Sequence, residues 1–118
     1  MIRILLADDL ALILMLLNGL CEGEADFEVV GAAETGEAAM DLALRTEPDV
    51  AVLDIKLPGI SGLEVARRLS RRSPDTKVVV LTALDSHGFA ARAMAAGAKA
   101  FLTKQAVGRE LVNAIRTV

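Results

Sequence analysis

Five short, almost uninterrupted apolar runs punctuate the chain. Ile2 to Ala7 stops at Asp8-Asp9, and Phe27 to Ala33 follows an acidic turn over Glu22 to Asp26. Val50-Ala51-Val52-Leu53 stops at Asp54, Lys77 to Leu81 stops at Thr82, and Ala100 to Thr103 stops at Lys104. Apolar runs without polar alternation predict strands covered on both faces, as in a parallel sheet. Pro58-Gly59 breaks the chain into a loop soon after Asp54.

Between these runs the apolar spacing becomes helical. Leu10 to about Cys21 predicts a first helix in which Leu10, Leu12, Ile13, Leu14, Met15, Leu16, Leu17 and Leu20 leave almost no polar face. A helix apolar all round is either buried or meets a partner. Thr35-Gly36-Glu37 opens a second helix with an inner stripe of Ala38, Ala39, Leu42 and Ala43, closed by Pro48. Gly62 to Ser73 predicts a third, with Leu63, Ala66 and Leu69 inward and Arg67, Arg68, Arg71 and Arg72 outward. Gly88 to Ala96 predicts a weak, alanine-rich helix ended by Gly97 in the C′ position. Arg109 to Val118 predicts the last, with Leu111, Ile115 and Val118 on one face and Val112 beside them. Strand and helix therefore alternate throughout. The expected fold class is α/β: a five-stranded parallel sheet, doubly wound with helices on both faces, in the flavodoxin-like order 2-1-3-4-5.

Composition narrows the function classes. The 118 residues are enough for a single domain with one core, expected over 1–118. A hydrophobic content of 53% and a mean hydropathy of +0.46 argue against disorder. The net charge of -3 provides no electrostatic footprint for nucleic acid, so any action on DNA would run through a segment absent from this chain. The single cysteine, Cys21, excludes an internal disulfide and fits a reducing cytoplasm, where it is expected as a buried apolar filler. Met1 leads straight into a strand that Asp8-Asp9 interrupts, so no signal peptide is expected. The longest apolar run, Leu10 to Leu17, is too short for a membrane span, and no membrane insertion is expected. The last helical pattern reaches Val118, and the natural protein is expected to continue beyond it.

Candidate chemistry collects at the strand ends. In a parallel sheet all carboxyl ends lie on one edge, and the order 2-1-3-4-5 sets strands 1, 3, 4 and 5 side by side. Asp8, Asp9, Asp54, Thr82 and Lys104 are therefore expected around one crevice at the switch point between strands 1 and 3. Taken singly, Asp8-Asp9 could cap the first helix, Thr82 could be an ordinary strand residue and Lys104 a solvated lysine. Together they form a site. Three carboxylates this close need raised pKa values or compensating charge. Lys104 supplies one charge, and a hard divalent cation with oxygen ligands, Mg²⁺ (or Mn²⁺), suits the rest. An aspartate carboxylate beside such a cation can accept a phosphoryl group as an acyl phosphate. Lys104, Thr82 and the metal could then hold its three equatorial oxygens.

Four segments carry a family resemblance that covers the whole chain: Leu6-Ala7-Asp8-Asp9, Val52 to Gly62, Val80-Leu81-Thr82-Ala83, and Gly97 to Lys104. The sequence resembles the receiver domain of bacterial two-component response regulators. Phe27-Glu28-Val29-Val30-Gly31 and Glu110 to Arg116 resemble the NarL/FixJ (LuxR-type) subfamily, which carries a C-terminal helix-turn-helix absent from this chain, and the apolar first helix is similar to the DesR type. The resemblance implies that Asp54 takes a phosphoryl group from a phosphohistidine on a sensor histidine kinase. It implies Mg²⁺ held directly by Asp9 and Asp54, through water by Asp8, and by the backbone carbonyl of Lys56. Lys104 would pair with the phosphate. Thr82 would move toward it, and Phe101 would change rotamer in response. It further implies a cytoplasmic switch that is not an enzyme, catalysing only its own phosphorylation and dephosphorylation. Output would be transcriptional, through homodimerisation by helices 1 and 5 or by the face of helix 4, strand 5 and helix 5. A stand-alone receiver acting by protein–protein binding is the alternative.

Departures from the family pattern sharpen the expectations. Gln105 follows Lys104 where a cis proline is common in the family, and a cis bond before a non-proline residue costs about 3–4 kcal/mol, which puts that geometry in question. The first helix lacks basic residues, and an exposed stripe of Leu10, Leu14 and Met15 would be costly in water, at about 25 cal/mol per Å². That stripe either forms a dimer or kinase-docking surface or deepens the core. His87 is expected in a loop before the fourth helix with no catalytic role. An aspartate-nucleophile phosphohydrolase would need a second acid two residues past Asp54, where Lys56 stands. An interaction domain that is never phosphorylated would have no use for the five strand-end residues.

Overall fold

The computed structural model of the chain describes residues 1–83 and 88–118; the loop expectation for His87 lies outside them. The elements are β1 (Ile2–Ala7), α1 (Ala11–Glu22), β2 (Phe27–Ala33), α2 (Gly36–Thr46), β3 (Val50–Asp54), α3 (Gly62–Arg72), β4 (Lys77–Thr82), α4 (Phe89–Ala95), β5 (Ala100–Thr103) and α5 (Val107–Thr117). The strands form one parallel sheet ordered β2-β1-β3-β4-β5, the order expected from the alternation of strand and helix.

Alternating residues of the inner strands feed two core layers. Leu5, Ala7, Ala51, Leu53, Val78 and Val80 pack with α2, α3 and α4. Ile4, Leu6, Val50, Val52, Val79 and Leu81 pack with Leu17 and Cys21 of α1 and with Leu111 and Ile115 of α5. The unbroken apolar runs follow from this arrangement, because neither face of an inner strand meets water.

Local chemistry sets the helix boundaries. Thr35 Oγ1 accepts a hydrogen bond from Ala38 N (3.1 Å), and Ser61 Oγ accepts one from Glu64 N (3.2 Å), as N-cap hydroxyls do. Gly97 follows α4 with φ +103, the left-handed conformation expected of a C′ glycine. Gly62 is required by proximity: a Cβ there would lie 1.8 Å from the Asp54 carbonyl oxygen, so α3 could not start so close to the end of β3 with any other residue.

Several helical details differ from the sequence reading. Ala38 is exposed and Met40 is buried in its place, beside Ala39 and Ala43 on the inward face of α2. The last helix begins at Val107, after a 3-10 turn over Lys104–Ala106, and buried Val107 anchors its first turn. No peptide among the described residues is cis, so Lys104 and Gln105 are joined in trans. On α1, Leu14 is not part of an exposed stripe: it is half-buried against the α1–α5 core layer. The outward apolar residues are Leu12, Met15 and Leu16, with Leu10 just ahead of the helix. No described helix is long and apolar enough to cross a membrane.

Candidate functional site

Strand register brings the polar strand ends together. Ala7 pairs with Leu53, which sets Asp8 beside Asp54. Asp54 pairs with Leu81, next to Thr82. Thr82 pairs with Thr103, next to Lys104. All of these follow apolar strands whose phase the core fixes, so the polar side chains arrive at one edge without help from the loops.

Asp8 is fully buried and Asp54 and Thr82 nearly so, whereas Asp9 is exposed. Asp8 Oδ1 accepts a hydrogen bond from Leu10 N at 2.9 Å. Asp54 Oδ1 accepts one from Lys56 N at 3.3 Å, and Asp54 Oδ2 accepts one from Lys104 Nζ at 3.2 Å. Lys104 Nζ also forms an ion pair with Asp8 Oδ2 at 2.8 Å, although that oxygen receives no hydrogen bond of good geometry. One carboxylate oxygen from each of Asp8, Asp9 and Asp54 can be chosen such that all lie within 4.8 Å of one another. Three carboxylates that can each bring an oxygen this close suit a hard divalent cation, so the residues present fit Mg²⁺.

The electrostatics reflect this crowding. Burial pushes the Asp54 carboxyl above its usual range, the neighbouring Asp8 charge pushes the same way, and Lys104 opposes both. Burial pulls Lys104 down, but the Asp8 and Asp54 carboxylates outweigh it and hold the ammonium above its ordinary value. A buried carboxylate with a raised pKa beside a fixed cation, at the carboxyl edge of a parallel sheet, is equipped to act as a nucleophile toward an anionic group that the cation attracts.

A cavity of about 210 Å³ opens above these groups, lined by Asp9, Asp54, Lys56, Thr82 and Lys104 on its polar side. Leu10, Ala83 and Phe89 complete its wall. None of these three was predicted to belong to the site from sequence: Leu10 directly follows Asp8-Asp9, Ala83 directly follows Thr82, and Phe89 opens α4 away from any strand end. Phe101 does not line this cavity. It sits on β5, half-buried, packed against the α2–α3–α4 core layer. A larger cavity, about 670 Å³, runs along β5 and α5 beside Phe101, Lys99 and Glu110, away from the carboxylates. Cys21 is fully buried and burial pushes its thiol up to about 11, as an inert apolar filler requires.

Comparison with known proteins is consistent with this geometry. Residues 4–116 match the family model described as the response regulator receiver domain. The response regulator GacA of Pseudomonas aeruginosa is 42% identical over 118 residues, which is 100% of this chain and 55% of that protein. The transcriptional regulatory protein DesR of Bacillus subtilis is 41% identical over 118 residues, 100% of this chain and 58% of that protein. The chain thus spans little more than half the length of these relatives. Among solved structures, the signal receiver domain of NarL from Mycobacterium tuberculosis superposes with a TM-score of 0.93 at 31% identity, covering 98% of this chain and 94% of that one.

Proposed function

Because the chain belongs to the response regulator receiver-domain family, we propose that it is a phospho-acceptor switch in which Asp54 takes a phosphoryl group from the phosphohistidine of a sensor kinase. The observation that carries this reading is the contact of Asp54 Oδ2 with Lys104 Nζ at 3.2 Å, beside the Asp8 and Asp9 carboxylates.

The residues divide the work. An Asp54 carboxylate oxygen attacks phosphorus while the bond to the donor nitrogen breaks, leaving an acyl phosphate on Asp54. Lys104, held in place by Asp8, neutralises charge on the transferring group. The Thr82 hydroxyl, at the cavity wall, is the donor to a second phosphoryl oxygen. Asp8, Asp9, Asp54 and the backbone carbonyl of Lys56 would hold Mg²⁺, which supplies charge neutralisation for the phosphoryl oxygens when bound. The chain turns over no external substrate in this reading and catalyses only its own phosphorylation and dephosphorylation.

Output follows from movement of Thr82 and Phe101. Val80 pairs with Phe101 across the β4–β5 ladder, so a shift at the end of β4 is felt one strand away. Phosphorylation would bias a two-state equilibrium and promote a homodimer. The outward Leu12, Met15 and Leu16 of α1 support a contact through α1 and α5, and the cavity beside Phe101 supports the face of α4, β5 and α5. We further propose that the chain is one receiver domain of a cytoplasmic transcription factor whose helix-turn-helix lies outside these 118 residues. The relatives GacA and DesR are nearly twice as long, and DesR is a transcriptional regulatory protein by name.

Intact mass with Mg²⁺ and acetyl phosphate tests the chemistry. One added phosphoryl group in the wild type and none in Asp54→Ala is the expected result. An unmodified wild type, with phosphoramidate as well as acetyl phosphate, would discard the acceptor role.

A further inference from the structure

One wall of the cavity above Asp54 has no part in the phosphoryl chemistry just described. Phe89, the first residue of α4, is among the residues that line this cavity together with Asp54, Thr82 and Lys104. The ring is half-buried and packs against the α2–α3–α4 core layer. The Arg92 guanidinium, one turn further along α4, stands 5.4 Å from the ring centroid. Leu10 and Ala83 are the other apolar residues lining the cavity. The cavity lining thus combines Asp54, Thr82 and Lys104, which suit a phosphoryl group, with one aromatic residue.

The geometry points to Phe89 as a specificity-determining residue for the phosphoryl donor, favouring phosphorus carried on a flat aromatic nitrogen ring over phosphorus on a small non-aromatic leaving group. This rests on Asp54 being the acceptor. A planar imidazole has a π face to set against the phenyl ring, whereas an amine has none. In the step itself, the bond from an Asp54 oxygen to phosphorus forms as the bond from phosphorus to the ring nitrogen breaks. The electron pair stays on that nitrogen, and the imidazole leaves neutral because its other nitrogen already carries a proton. Contact with Phe89 lowers the barrier only for donors that have a ring to place there.

Two small donors isolate the effect. Phosphoimidazole and phosphoramidate both break a phosphorus–nitrogen bond, and only the first has a ring. Rates of phosphoryl gain by the 118-residue chain are measured for each with Mg²⁺ by intact mass, for wild type, Phe89→Ala, Phe89→Leu and an Asp54→Ala control. The ratio of the phosphoimidazole rate to the phosphoramidate rate should fall by about threefold to tenfold in Phe89→Ala, and by less in Phe89→Leu, which keeps an apolar wall without the π face. A purely structural role for Phe89 would slow both donors together and leave the ratio unchanged, and that result overturns the inference even if both rates drop. A wild type that gains no phosphoryl group from either donor is a different failure: it removes the acceptor role of Asp54 and takes this inference with it.

Discussion

Lys104 Nζ stands 2.8 Å from Asp8 Oδ2, and the Asp8 side chain has no exposed surface. The same ammonium reaches Asp54 Oδ2 at 3.2 Å, so one cation from the end of β5 compensates two buried carboxylates from β1 and β3. Removing it leaves like charges in a poorly solvated site. Lys104→Met should lower stability by about 3–5 kcal/mol at neutral pH, the usual cost of breaking a buried pair. The deficit should shrink as pH falls into the ordinary carboxylate range, because protonation removes the repulsion. Urea unfolding of both proteins at pH 7 and pH 4.5, without divalent cations, measures both effects.

Asp54 gives the opposite sign. Its carboxyl titrates above its ordinary value in the folded chain, first because it is buried and then because Asp8 is near. The folded state therefore holds this proton more tightly than the unfolded state, and stability falls as pH rises from the ordinary aspartate value of 3.8 through the raised one. An amide cannot ionise. Asp54→Asn should melt about 2–5 °C higher than wild type at pH 7 in metal-free buffer, with the gain gone by about pH 3.5. Equal stabilisation at both pH values would point to packing and not to charge.

Divalent cations should reverse the penalty. A cation that binds only the folded state stabilises it by mass action, by about 2.7 kcal/mol at a hundredfold excess over Kd. Thermal melts of wild type with increasing Mg²⁺ should shift upward and saturate. Asp9 is exposed, so Asp9→Ala should melt close to wild type without Mg²⁺ and lose most of the shift with it. A full shift in the variant would remove Asp9 from the metal set.

The two faces of α1 should respond differently. Leu17 is fully buried and Leu12 is 78% exposed. Leu17→Ala should cost about 2–5 kcal/mol, and Leu12→Ala should stay within about 0.5 kcal/mol in the monomer. Under the proposed contact through α1, Leu12→Lys should weaken self-association of the phosphorylated chain, read by sedimentation. Unchanged association would move the interface to the face of α4, β5 and α5.

How much of this was legible beforehand depends on what marks each feature. The strands were visible because both faces of an inner strand are covered, so burial leaves a signal in every residue from Val50 to Leu53. Asp8, Asp54, Thr82 and Lys104 were visible because each stands where such a run stops, with Asp9 directly after Asp8, and parallel pairing sends all those ends to one edge. The phase of α1 was not visible. With nearly every position apolar, no polar stripe says which side faces water, and Leu14 was misplaced where Leu12 and Leu16 belong. The start of α5 was obscured by the 3-10 turn at Lys104–Ala106, which has no side-chain cap to announce it.

By itself, then, the sequence determined the alternation of strands and helices, the identity of the groups at the carboxyl edge and the family. The first two are written in local patterns of polarity, and the family in the four motif segments that carry the resemblance. Only the tertiary structure decided the distances that turn those groups into a site: Lys104 shared between Asp8 and Asp54, and Asp54 buried enough to hold its proton more tightly. It also decided that Phe89 stands in the cavity wall. These depend on how far each strand extends against its neighbour and how α4 seats on the sheet. They are set by packing between residues far apart in the chain, which no local pattern encodes.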